Sequence, residues 1–227
     1  MIGIVGTVPD LQLPLIHGKA RLVDNHFEIK GRSLAINRGT PALIGAALKA
    51  SECLHCPETY AFLVGDTGKG DGSRKLYDFL TQHLHEFDFK VLTFHYLQPD
   101  VDWHNKVLFA AESMQKRPIL IADAGFMYAA KMSGQSESYD FFTPDAGELA
   151  FLADELAPHP FYTRGFILHP NDNVPDLIRQ AYQHQNAARH LLVKGESDYI
   201  VHKRQVVQKV DHPSSEAMEA IGGTGDT

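Results

Sequence analysis

Apolar positions along the chain alternate between two rhythms. Short continuous apolar runs bounded by Gly, Asp or Pro predict buried strands, and longer stretches with apolar residues three and four apart predict helices. After a first strand in "MIGIVGTV", the segments "KARLV" and "HFEIK" predict a β-hairpin or flap, and "SLAINR" a further strand. From there the two element types alternate: helix "PALIGAALKASECL", strand "YAFLVGD", helix "SRKLYDFLTQHLHEF", strand "KVLTF", helix "VDWHNKVLFAAESM". Strand "RPILIADAG", helix "FMYAAKMSG", strand "YDFFTP" and helix "DAGELAFLADEL" continue the order. A Pro-rich connection leads to helix "VPDLIRQAYQHQ", and "HLLVKG" with "YIVHK" predicts a strand pair. In the second helix Leu76, Phe79, Leu80, His83, Leu84 and Phe87 share one face, which makes His83 a packing residue rather than a ligand. Continuous apolar strands are those that helices cover on both faces. The pattern therefore predicts an α/β fold with a mostly parallel central sheet and helices on both faces, as one domain over residues 1–227.

Composition removes some function classes. The chain has 227 residues, of which 44% are hydrophobic and 22% charged, an ordinary balance for a water-soluble protein with one large core. No apolar run approaches the roughly 20 residues that cross a bilayer. The N-terminus lacks the basic region and cleavage-like site of a signal peptide, so a cytoplasmic protein is expected. A formal net charge of −7 argues against nucleic acid and membrane partners, since both favour a basic face. Cys53 and Cys56 form an isolated CxxC with no second pair and no HExxH, so reduced thiols are expected rather than a zinc or redox centre.

In an open α/β sheet, ligands bind beyond the carboxyl ends of the strands. That rule selects the turn after "YAFLV", the segment after "KVLTF", Asp123 after "ILIA", "TPDAGE" after "YDFF", "KGESD" after "HLLV", and the closing "GGTGD". Glycines in the last motif allow the backbone to approach an anion closely, and successive amides at a helix start favour its charge. An aspartate beside such a hole accepts a proton from a hydroxyl as it meets a phosphoryl group. Each group also has a structural alternative. "GGTGD" reads equally as a plain glycine turn, and Asp145 with Glu148 as a capping box behind Thr-Pro. Lys194–Gly195 reads as a tight turn, Gly45–Ala47 as close helix packing, and Asp123 as a satisfied turn former.

"GAALKA", "PILIADAG", "FFTPDAGEL", "LLVKGESDYIV" and "GGTGDT" occur in an order that resembles the ribokinase-like superfamily, nearest the ADP- or ATP-dependent NAD(P)H-hydrate dehydratases. The resemblance covers about residues 33–227. It implies a ribokinase-like domain and a nucleotide-dependent enzyme that uses ATP or ADP with Mg2+. It assigns Asp226 as the catalytic carboxylate and Gly223, Thr224 and Gly225 as the anion hole. Lys194, Gly195, Glu196, Ser197, Asp198 and again Gly225 would lie along the nucleotide. Ala46, Asp123 and Asp145 would face the substrate, and Glu148 would contact magnesium directly or through water. It further implies a homo-oligomer and a small-molecule substrate, either hydrated NADH or NADPH or a polyol-like hydroxyl compound.

The match breaks at three points. The family's His-Pro-Gly-Glu reads Asp145-Ala146-Gly147-Glu148, and its Gly-Pro-Gly turn reads "FHYLQP", so His95 and Tyr96 stand where glycines are expected. Both changes fall on the substrate side, and they keep open a sugar or hydroxymethyl-compound kinase, or a non-catalytic nucleotide-binding descendant. Relatives also continue past the final motif, so a chain lacking its C-terminal helices is expected. The loop "GDTGKGDGSRK" is not a Walker loop and suits either a mobile lid over an anionic ligand or a solvated flexible segment.

Overall fold

The alternation of apolar runs translates into two layered units. The computed structural model describes residues 1–55, 57–159, 174–213 and Gly225. Their contacts separate residues 1–98 with 102–119 from residues 99–101 with 120–213.

The first unit runs β1 (Ile2–Val8), β2 (Ile16–Val23), β3 (His26–Ile29), β4 (Arg32–Ala35), α1 (Thr40–Leu54), β5 (Thr59–Gly65), α2 (Asp71–His83), β6 (Val91–His95) and most of α3 (Val101–Glu112). β1 is central and pairs in parallel with β5 and with β6; Ile2 stands opposite both Thr59 and Val91. β2 adds to β5 antiparallel, and β3 and β4 extend outward as the expected flap. Successive side chains of a strand point to opposite faces. Ile4, Ala61 and Leu63 accordingly pack with Ile44 and Leu48 of α1, while Phe62 meets Phe79 of α2, ring centroids 6.2 Å apart. Helices thus cover both faces of this unit. The small residues of α1 have a packing role: a Cβ on Gly45 would stand 2.8 Å from Ile36.

The second unit runs β7 (Ile119–Ala122), α4 (Ala124–Met132), β8 (Phe141–Phe142), α5 (Ala146–Ala153), α6 (Val174–Gln183), β9 (His190–Val193), β10 (Asp198–His202) and β11 (Gln205–Val210). β7, β8 and β9 are parallel, and β10 and β11 follow antiparallel. The fold class is therefore α/β, with parallel strands at the core of each unit and antiparallel strands at its margin. β11 escapes sequence reading for two reasons. All six of its residues are exposed, so no buried face marks it. Its two-residue turn, Lys203–Arg204, adopts positive φ at both positions without the Asn or Gly that normally signals such a turn.

Helix α5 is nearly all apolar, and its last carbonyls find an unusual partner. Lys131, in the final turn of α4, is buried and donates from Nζ to the carbonyls of Phe151 (2.6 Å), Asp154 (2.5 Å) and Ala157 (3.3 Å). The ammonium also lies 3.8 Å from the centroid of the Phe151 ring. Burial pulls its pKa down to about 8, yet at neutral pH it remains a cation placed at a helix C-terminus, where positive charge is favoured. Lys131→Met keeps the stem and removes the ammonium that bonds the carbonyls of Phe151, Asp154 and Ala157. The expected loss is about 2 kcal/mol, seen as a lower urea midpoint at unchanged slope.

Candidate functional site

The carboxyl ends of β7, β8 and β9 bring Asp123, Thr143, Asp145 and Lys194 to one edge of the second unit. Asp123 occupies the N-cap position of α4 but makes no hydrogen bond to the helix start. An aspartate there normally accepts from a first-turn amide. Instead Oδ1 of the buried Asp123 accepts from the Thr143 hydroxyl at 2.8 Å and pairs with Lys194 Nζ at 3.4 Å. The next residue, Ala124, has φ 48°, a left-handed turn that costs a non-glycine residue roughly 1 kcal/mol. Such strain persists where neighbours over-determine the backbone, commonly at functional sites. Lys194 is fixed from its main chain as well, its amide donating to the Pro144 carbonyl at 2.9 Å. The turn beyond it is closed by Gly195 N donating to Asp198 Oδ1 at 3.0 Å. Glu196 is exposed, and Ser197 is half-buried on the same turn.

Asp145 and Glu148 form the capping box that their spacing allows. Asp145 Oδ1 accepts from the Glu148 amide at 2.8 Å, and Glu148 Oε2 accepts from the Asp145 amide at 2.9 Å. The other oxygen of Glu148 accepts from the Tyr128 hydroxyl at 2.7 Å. Burial first, and then the neighbouring charges of Asp123 and Asp145, raise the Glu148 pKa to about 7. Burial and the same carboxylates push the Tyr128 phenol far above its usual range. Tyr128 and Thr143 are the partners that sequence reading did not single out. Thr143 stood inside the quoted Thr-Pro motif, and nothing in the helical pattern set Tyr128 apart. Both oxygens of Glu148 are engaged, and among the described residues no group of three or more His, Cys, Asp or Glu could hold a metal ion.

At the carboxyl ends of β5 and β6 the first unit carries two further features. The loop after β5 winds around its own aspartate. Asp66 Oδ1 accepts from the amides of Gly68, Lys69 and Gly70 at 3.0–3.1 Å. Oδ2 accepts from the amide and the hydroxyl of Ser73, both at 2.9 Å. Amides that could cradle a phosphate are thus taken by an internal carboxylate, which also caps α2 from outside the helix. Burial raises the Asp66 pKa, but the hydrogen bonds from Ser73, Gly70 and Gly68 outweigh it and leave the group below its ordinary 3.8. Gly72 permits this winding, since a Cβ there would lie 2.2 Å from the Gly65 carbonyl oxygen.

The loop after β6 carries His95 and Tyr96. His95 is buried with Nδ1 3.1 Å from the Thr40 hydroxyl, at the start of α1. Tyr96 has φ 50° and is 50% exposed. Ala46 lies on α1, half-buried. Asp226, Gly223 and Thr224 lie outside the described residues, as does Cys56; Cys53 is exposed. Gly225 is described but is exposed, and nothing stands within 4 Å of a Cβ added to it.

No protein-family model matches the chain. Over 186 residues it is 42% identical to the uncharacterized protein MJ1337 of Methanocaldococcus jannaschii, covering 82% of this chain and 75% of that protein. The chain belongs to the MJ1337 family. Among solved structures, Escherichia coli phosphofructokinase-2 in complex with fructose-6-phosphate aligns at a TM-score of 0.47 and 14% identity, over 94% of this chain and 80% of its own. A Pyrococcus horikoshii phosphofructokinase with AMP aligns at 0.39 and 12%, over 91% and 43%. At such TM-scores the likeness assigns neither fold nor function. No helix among the described residues of this MJ1337-family chain is long and apolar enough to cross a membrane.

Two pH responses follow from these carboxylates. The depressed pKa of Asp66 means its contribution is complete above the unfolded value and is lost as pH falls through the folded one. Asp66→Asn should therefore cost about 2 kcal/mol near neutrality, and the gap to the wild type should narrow below about pH 4 in urea titrations. Glu148 has the opposite sign. Its raised pKa makes the folded state bind the extra proton, so its contribution weakens as pH rises from the ordinary 4.5 towards about 7. Melting curves should show Glu148→Gln gaining on the wild type between those limits.

Proposed function

We propose that the protein is a nucleotide-dependent phosphoryl-transfer enzyme of the ribokinase-like kind, acting as a kinase on a small hydroxyl compound. The observation that carries this reading is Asp123 at the α4 N-cap, turned away from its helix to hold Lys194 beyond the ends of three parallel strands. A buried carboxylate that declines its local capping bond in favour of a lysine 71 residues away is a poor structural economy and a good way to aim a cation. Lys194 then offsets charge on the phosphates of ATP or ADP, along the turn that the resemblance assigns to the nucleotide.

In the reaction, the acceptor hydroxyl oxygen attacks the terminal phosphorus while the bond to the leaving nucleotide oxygen breaks. The hydroxyl proton passes to the Asp226 carboxylate, the role the Gly-Gly-Thr-Gly-Asp motif implies. Hydrated NADH or NADPH as the acceptor is the weaker reading. Asp145, where that family carries histidine, spends its side chain on the capping box. Buried His95 stands in the turn where a glycine would open a path for a nicotinamide.

Phosphorus NMR of the protein incubated with ATP or ADP, Mg2+ and candidate hydroxyl compounds should reveal a stable phosphorylated product. Restored absorbance of the reduced cofactor from hydrated NADH, with no such product, would return the assignment to the dehydratases. Asp226→Asn should lower turnover by at least about 100-fold while nucleotide binding survives. An unchanged rate would remove Asp226 from the mechanism.

A further inference from the structure

Tyr96 is held more firmly than an exposed side chain needs to be. Its carbonyl accepts from the Thr7 hydroxyl at the end of β1 at 2.5 Å. Two residues on, Gln98 is pinned at both ends: its amide donates to Ser73 Oγ at 3.1 Å and its carbonyl accepts from the buried Tyr77 hydroxyl at 2.5 Å. Leu97 between them is buried. The left-handed φ of 50° is therefore imposed by β1 and α2 together, through the same Ser73 that binds Asp66. The Tyr96 ring stands edge-on to His95, centroids 4.6 Å apart. A Cβ added to Gly39, at the start of α1, would meet that ring at 3.7 Å. Close approach of α1 depends in turn on Gly6, where a Cβ would overlap the Thr40 side chain at 2.3 Å. β1 and α2 thus fix the backbone around Tyr96 at the carboxyl edge of the strands, and the residue is 50% exposed.

We infer that Tyr96 is a preformed stacking shelf for a ring-shaped acceptor, and that it sets the preference for a cyclic hydroxyl compound over an acyclic one. The physical case is preorganisation. A tyrosine in left-handed backbone is strained, and exposing an apolar ring forgoes burial, so neither helps the isolated protein. An aromatic side chain on a fixed backbone has only two torsions left to lose when a flat apolar face docks on it, and the phenol edge stays polar. The face of a sugar ring and that of a hydroxymethyl heterocycle offer the same stacking surface; glycerol does not. The inference deepens the kinase reading at its acceptor side and rests on it only for naming the ligand an acceptor.

The test uses saturation-transfer NMR on the full chain with D-glucose, D-ribose, a hydroxymethylpyrimidine and glycerol. Tyr96→Phe keeps the ring, and Tyr96→Asn removes it while tolerating the left-handed backbone. At least one ring compound should bind the wild type and Tyr96→Phe comparably and bind Tyr96→Asn at least tenfold more weakly. Which of the two ring classes does so separates sugar from heterocycle. Equal binding by the wild type and Tyr96→Asn, or binding of glycerol alone or of nothing, overturns the shelf. ATP- or ADP-dependent turnover is read in the same samples. Ring binding lost in Tyr96→Asn without turnover in the wild type keeps the shelf and sinks the kinase reading. Turnover with the same KM in wild type and Tyr96→Asn does the reverse.

Discussion

One carboxylate organises the edge of the first unit beyond β5 and β6. Asp66 takes three loop amides on one oxygen and both donors of Ser73 on the other. A buried charge with fewer partners would be expensive to keep. With this many, it fixes the course of the loop after β5, the start of α2 and, through the Ser73 hydroxyl, the Gln98 amide beyond β6. The glycines of the loop are the steric condition for that arrangement. Gly68 and Gly70 adopt positive φ so that their amides can converge on one oxygen, and Gly72 lets the helix start pass close to the Gly65 carbonyl.

The second unit solves a comparable problem with opposite signs. Parallel strands leave helix ends and carboxylates crowded along the sheet margin. Lys131 supplies the positive charge at the C-terminus of α5, while Asp145, Glu148 and Asp123 gather near the starts of α5 and α4. Burial first, and then the nearby charges of Asp123 and Asp145, raise the proton affinity of Glu148. Lys194 relieves Asp123 directly.

Much of this arrangement was legible in the sequence, and the failures share a cause. The order of strands and helices, the hairpin flap and the capping box follow from local periodicity and spacing, which a linear reading sees. The turn at Lys203–Arg204 and the exposed strand after it carry no such signal. The loop of residues 65–75 has the composition of a flexible anion site. Its actual ligand, Asp66, is part of the same run, and only geometry reveals that the amides close on it. Thr143 and Tyr128 matter through partners 20 residues away, a relation no spacing rule encodes.

The same accounting separates the carboxylates by the partners their oxygens take. Asp66, Asp145 and Glu148 each direct their oxygens to donors that stabilise the chain itself: loop amides, a helix start and a buried phenol. Asp123 behaves differently, since its nearest helix start goes without a side-chain cap and its oxygen faces a threonine hydroxyl and a lysine from distant strands. Tyr96 stands out by a parallel criterion, a strained and rigid residue with an exposed ring. Stability alone favours capping helices, burying rings and relaxing φ. Where a fold forgoes these gains while fixing the residue from several elements, the compensation lies in what the residue meets from solution. By that reasoning the cation aimed by Asp123 and the shelf at Tyr96 are where this family's chemistry should be sought.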